Sequence, residues 1–116
     1  MAPDHPRGRR NGVCEALIGK AKQLLAAMWR TLRANAMPLP AISARDVELV
    51  AQRIGDYGTP LQEWWKSWTV LLQRHASGAA SRLQSEWALN PVTFARQFNM
   101  AHGDANALQA QAVARG

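Results

Sequence analysis

The side chains of this chain that are equipped for chemistry are three histidines, one cysteine and a scatter of carboxylates. His5, His75 and His102 stand far apart. They lack the i, i+4 histidine pairs and carboxylate neighbours from which helical metal sites are built. A lone thiol, Cys14, supplies neither a disulfide nor a thiolate zinc site, so no metal and no cofactor is expected. As a nucleophile Cys14 would need a base beside it and a lowered pKa, whereas it flanks an apolar stripe near a helix start. His75 falls on an apolar helix face, the setting of a hydrogen-bonded core or interface histidine. Gly55-Asp56-Tyr57-Gly58 lacks the lysine, the hydroxyl residue and the preceding strand of a phosphate-binding loop, and helix termination explains it. The acids are too few and too dispersed for paired acid/base work. The expectation is a protein that is not an enzyme.

Aromatic residues carry the stronger signal. Trp64, Trp65 and Trp68 lie within five positions, with Trp29 and Trp87 elsewhere. Each indole buries about 150–250 Å² and keeps an N–H in need of a partner. Such rings build the core of a small helical bundle, or they line a face that meets an apolar phase. Leu61, Trp64, Trp65, Trp68, Leu71 and Leu72 form a face wider than a single helix partner needs. They are the candidate contact surface for an apolar partner, either a hydrophobic particle or a second copy of the chain. Aromatics interleaved with arginine also mark single-strand nucleic-acid binders, but here the cations sit on other helices or opposite faces.

The elements that position these residues read as helices. With 116 residues, 47% of them hydrophobic, the chain is sized for one domain. Residues 1–12 combine two prolines, two glycines and three arginines with little to bury, and read as a disordered basic tail. Residues 13–36 place Val13, Leu17, Ala21, Leu24, Met28 and Leu32 on one side, which predicts an amphipathic helix with Lys20, Lys22, Arg30 and Arg33 opposite. Residues 37–42, containing Met37-Pro38-Leu39-Pro40, form a linker in which proline blocks helix continuation.

Ser43, with Asp46 three residues on, starts a helix over 44–57, and Gly58 ends it. Thr59 then caps a helix over 60–88 with Pro60 in its first turn and Gln62 completing a capping box; Gly78 is a place for a bend. Asn90 and Pro91 restart a helix over 91–113. Phe94, Phe98, Ala101, Ala105 and Leu108 form its helix–helix seam, and His102-Gly103-Asp104 is expected to interrupt it midway. No strand-like alternation is present. The fold class is therefore all-α: a small amphipathic bundle or helical hairpin over residues 43–116, with a separate basic N-terminal helix joined loosely through the linker.

Charge is concentrated at one end. Residues 1–36 hold seven basic side chains against two acids, net +5, whereas residues 37–116 hold seven against six, net +1. This asymmetry predicts an anionic partner for the N-terminal helix: a membrane surface, an acidic protein, or DNA bound without base readout. No apolar run approaches the roughly 18–20 residues of a membrane-spanning helix, and no signal-peptide pattern is present, so a cytoplasmic location is expected.

The stretch QEWWKSWTVLLQRHASGAASRLQSEW, the break at Asn90-Pro91, and then NPVTFARQFNMAHGDANAL with Phe94, Gln97 and Phe98 resemble the phasins, over about residues 42–113. Phasins are amphipathic proteins that coat bacterial polyhydroxyalkanoate granules. This chain departs from them in its many tryptophans and its separate basic helix. The resemblance implies a non-enzymatic, surfactant-like helical protein that binds a hydrophobic polymer surface, often as a homo-oligomer, and is associated with granules in the cytoplasm. It brings no catalytic residues.

Overall fold

Helix-capping chemistry sets the divisions of the chain. The computed structural model describes residues 9, 10 and 13–115, apart from the side chains of Arg9, Arg10 and Arg115. Most of the tail expected to be disordered therefore lies outside the described residues. Within it, Arg9–Arg10 (β1) pairs antiparallel with Val13–Cys14 (β2), Arg10 opposite Val13. This corrects the expectation of a structureless, strand-free start. Val13 is buried and extended, so the first helix begins two residues later than its apolar spacing predicts.

Six α-helices follow among the described residues: α1 (Glu15–Ala34), α2 (Ala44–Tyr57), α3 (Leu61–Ala76), α4 (Arg82–Leu89), α5 (Pro91–Arg96) and α6 (Phe98–Arg115). The protein is all-α, a small helical bundle. The boundaries of α2 are those expected, with Ser43 and Asp46 forming a reciprocal capping box and Gly58 left-handed at φ 64°. The start of α3 differs: Pro60 itself is the N-cap, with no side-chain cap hydrogen bond, and its carbonyl accepts from the Glu63 and Trp64 N–H groups. Thr59 and Gln62 thus form no capping box.

Two expected long helices are each broken in two. The helix expected over 60–88 stops at Ala76, where the Gly78 N–H donates to the His75 carbonyl and the Ala79 N–H to the Arg74 carbonyl, with Gly78 at φ 78°. This is a Schellman cap, which a left-handed glycine permits. Ser81 and Gln84 then form a second capping box that starts α4. The helix expected over 91–113 breaks at Gln97, whose side-chain oxygen accepts from Trp87 Nε1 at 2.6 Å. It does not break at His102-Gly103-Asp104. Ala101 and Ala105 are buried on either side and His102 is hydrogen-bonded to α3, so tertiary anchoring outweighs the roughly 1 kcal/mol cost of a helical glycine.

The basic helix is not separate. Ile18, Ala21, Leu24, Leu25, Met28 and Leu32 of α1 belong to the same buried cluster as Trp64, Trp68 and Phe98. The linker is held rather than loose, because Trp29 Nε1 donates to the Pro40 carbonyl at 3.3 Å and Met37 and Ile42 pack on the core. Apolar area is the reason: a stripe as wide as that of α1 gains more from packing on the other helices, chiefly α2, than from remaining in water.

At the end of α1 a second Schellman cap runs from the Met37 N–H to the Leu32 carbonyl and from the Ala36 N–H to the Arg33 carbonyl, and places Ala36 at φ 56°. A Cβ is disfavoured there. Ala36→Gly is expected to raise unfolding free energy by about 0.5–1 kcal/mol, and Gly78→Ala to lower it by a similar amount. Urea unfolding checks both; an Ala36→Gly variant less stable than the parent would contradict the assigned cap.

Candidate functional site

The tryptophan face lies inside the molecule. Trp64, Trp68 and Leu71 are 0% exposed, Leu72 is buried, and Leu61 and Trp65 are half-buried at the edge of the core. As a contact surface for an outside partner, Trp64, Trp68, Leu71 and Leu72 are therefore corrected: other helices of this chain already cover them. Trp64 stacks on Phe98 with ring centroids 3.7 Å apart and meets Phe94 edge-on at 6.0 Å. The seam residues Phe94, Phe98, Ala101 and Ala105 are buried in the same core, and Leu108 is half-buried against it. The alanines bring α6 close to α3, and Trp64 fills the space between their two ends.

Sequence spacing did not reveal two serine–histidine pairs. Ser67 Oγ and His102 Nδ1 share a hydrogen bond of 2.6 Å between α3 and α6, and His75 Nδ1 and Ser85 Oγ share one of 2.9 Å between α3 and α4. The partners lie 35 and 10 residues apart, so no local motif announces them. His102 also stacks on Phe98 and lies 3.4 Å from Asn106 Nδ2 through its Nε2. Ser67 is 2% exposed in mid-helix, where backbone N–H groups are committed to the helix, so the pair has neither substrate access nor a set of oxyanion donors. What it does chemically is satisfy a buried hydroxyl and fix the register of α6 on α3. Among the described residues no three His, Cys, Asp or Glu side chains converge as a metal-binding group, and no helix is long and apolar enough to cross a membrane. Cys14 is a half-buried free thiol.

The surface offers cations and clefts. Lys20, Lys22, Arg30 and Arg33 are all exposed on α1, Lys20 at the mouth of a cleft it shares with Ile54 and Leu61, and none of them is ion-paired with a described residue. Between α1 and α3 two shallow clefts follow one seam. The first, about 250 Å³, is lined by Gln23, Leu24, Ala27, Leu61, Gln62 and Trp65. The second, about 210 Å³, is lined by Thr31, Asn35, Thr69, Leu72, Gln73 and Ala76. A larger cleft of about 490 Å³ lies between α3 and α6, with Val70, Arg74, Leu108 and Ala112 on its walls.

No family model, no curated protein and no solved structure matches this chain.

The buried indoles differ in one respect that a mutation isolates. Trp68 Nε1 donates to the Ala88 carbonyl at 2.9 Å, whereas Trp64 Nε1 is buried with no partner. Ala88 is in the last turn of α4, and the following Val92 N–H is engaged by Asn90 Oδ1. Trp68→Phe therefore orphans a helix-terminal carbonyl, while Trp64→Phe removes an unsatisfied donor. Trp68→Phe is expected to cost about 1 kcal/mol more than Trp64→Phe in guanidinium unfolding, and Trp64→Ala about 3–5 kcal/mol. Equal costs for the two Phe variants would contradict the hydrogen-bond assignment.

Proposed function

We propose that the protein is a non-enzymatic helical binding module that engages an anionic macromolecule through the cationic face of α1. The observation that carries this reading is the placement of Lys20, Lys22, Arg30 and Arg33, exposed and without described ion pairs, on a helix whose opposite face is locked into the core. The single acid of α1 is Glu15, in its first turn. Because the helix is held by buried side chains, its cations are presented in a fixed array, and binding forfeits little backbone entropy. Each contributes on the order of 1 kcal/mol at most near a charged surface, and less as salt rises.

A second reading, a coat on a polyhydroxyalkanoate granule, is supported by the phasin resemblance of residues 42–113 and by the outward-facing Met100 (55% exposed) and Val113 (81% exposed) of α6. In that reading Trp64, Trp68, Leu71 and Leu72 reach the polymer only if the helices part, and the particle surface must offset the loss of the core.

Binding of the intact protein to a DNA duplex, to phosphatidylglycerol vesicles and to polyhydroxybutyrate particles separates the two. Lys20→Gln/Lys22→Gln/Arg30→Gln/Arg33→Gln is expected to weaken binding to at least one anionic probe by about tenfold or more, with affinity falling steeply as salt rises. Salt-insensitive binding to the polymer particles, unchanged in the fourfold variant and accompanied by a large tryptophan fluorescence change, would replace this reading with the granule coat.

A further inference from the structure

We propose that the groove between α1 and α3 is the docking site for an acidic amphipathic helix of a partner protein; this rests on the reading of α1 as an anion-binding helix and names its partner. The two clefts pair Gln23 and Ala27 with Leu61 and Trp65, and Thr31 and Asn35 with Thr69 and Ala76, so α1 and α3 run side by side in the same direction. Gln23, Ala27, Thr31 and Asn35 recur every four residues, which gives three turns of helix, about 18 Å. Two parallel helices bounding an open trough offer the seat that a third helix fills.

The chemistry of the walls selects the occupant. Half-buried Leu61 and Trp65 form an apolar floor at one end. Thr31 and Thr69 spend their hydroxyls on the Ala27 and Lys66 carbonyls, and Asn35 donates to the Thr31 carbonyl, which leaves the exposed amides of Gln23, Gln62 and Gln73 for a partner. At about 100° per residue Lys20 falls beside Ala27, Arg30 beside Gln23, and Lys66 beside Gln62 and Gln73. All three cations are exposed and none of the lining residues is acidic. Glu63 of α3 lies about 160° round the helix from Trp65, one turn before Lys66. The trough thus has an apolar floor at its Leu61–Trp65 end, a polar Thr31–Thr69 end and a cationic rim, the complement of a helix that seats leucines at one end and carries glutamates along its flanks. A nucleic acid or a lipid surface would use the rim and leave the floor wet.

The test uses the intact protein and a labelled three-heptad peptide with leucine at a and d and glutamate at the flanking positions, together with its glutamine counterpart, a DNA duplex and phosphatidylglycerol vesicles, at physiological salt. The glutamate peptide is expected to bind at least about tenfold tighter than the glutamine one and to shift the protein's tryptophan emission, a shift lost in Trp65→Phe. Gln62→Glu/Gln73→Glu alters only exposed side chains and is expected to weaken peptide binding by about tenfold or more, as is Lys66→Glu; Arg45→Gln/Arg96→Gln makes the same change in net charge elsewhere and should leave it within about twofold. Unchanged circular dichroism and unfolding midpoints establish that the variants fold. If the two double variants weaken the peptide equally, or if DNA or vesicles bind while the peptide does not, the docking assignment fails and the anion-binding reading stands. If DNA or vesicle binding is the one abolished by Gln62→Glu/Gln73→Glu, the groove belongs to that ligand and the assignment fails. If none of the anionic probes binds, both readings fail.

Discussion

The stack of Trp64 on Phe98 is the contact around which the fold is arranged. Trp64 lies on α3 and Phe98 opens α6, and their nearly parallel rings, 9° apart in plane, fix how those helices meet. Tyr57 at the end of α2 reaches both rings, at 6.4 and 5.3 Å, and Phe94 of α5 meets each of them edge-on. Four helices thus converge on one aromatic pair. The indole N–H is left without a partner, at a cost of about 1–3 kcal/mol, and a site that tolerates this must gain more from ring packing than it loses. Trp68 and Trp87 take the less expensive solution, since each donates to a carbonyl oxygen, that of Ala88 and that of the Gln97 side chain.

This arrangement accounts for which features were legible in the sequence. Local signals with a backbone mechanism were: the Ser43–Asp46 box, the left-handed Gly58 and the Asn90-Pro91 start each determine their own few residues. The box at Ser81 and Gln84 was equally local and readable, and it was masked because the apolar face continues across it from Leu72 to Leu83. A continuous stripe shows which residues share a face and is silent about whether one helix or two carries it. Gln97 is different in kind. Its departure from the helix coincides with a bond to Trp87, a partner set by tertiary structure, and no propensity scale contains that.

The same distinction governs the candidate site. Helical spacing correctly grouped Trp64, Trp68, Leu71 and Leu72 but had no means of telling what covers them, because a buried core and a docking face have the same pattern. The cover comes chiefly from α4 and α6, which pack along α3, while α1 lies mainly against α2 and completes the shared core. Charge is easier to read than burial: a cation on the polar side of an amphipathic helix stays on the surface whatever that helix packs against. Lys20, Lys22, Arg30 and Arg33 are exposed for that reason.

Docking α1 onto the core changes what those cations can achieve. On a free basic helix they would trade partners through fluctuating geometry, and affinity would follow net charge alone. Held in place, they stand at fixed positions relative to α3, and α3 is itself pinned by the Ser67–His102 bond to α6 and the His75–Ser85 bond to α4. Charge by itself gives attraction without choice. A rigid neighbour that adds an apolar floor and free amides beside the charge supplies the second criterion, shape, by which one anionic partner is distinguished from another.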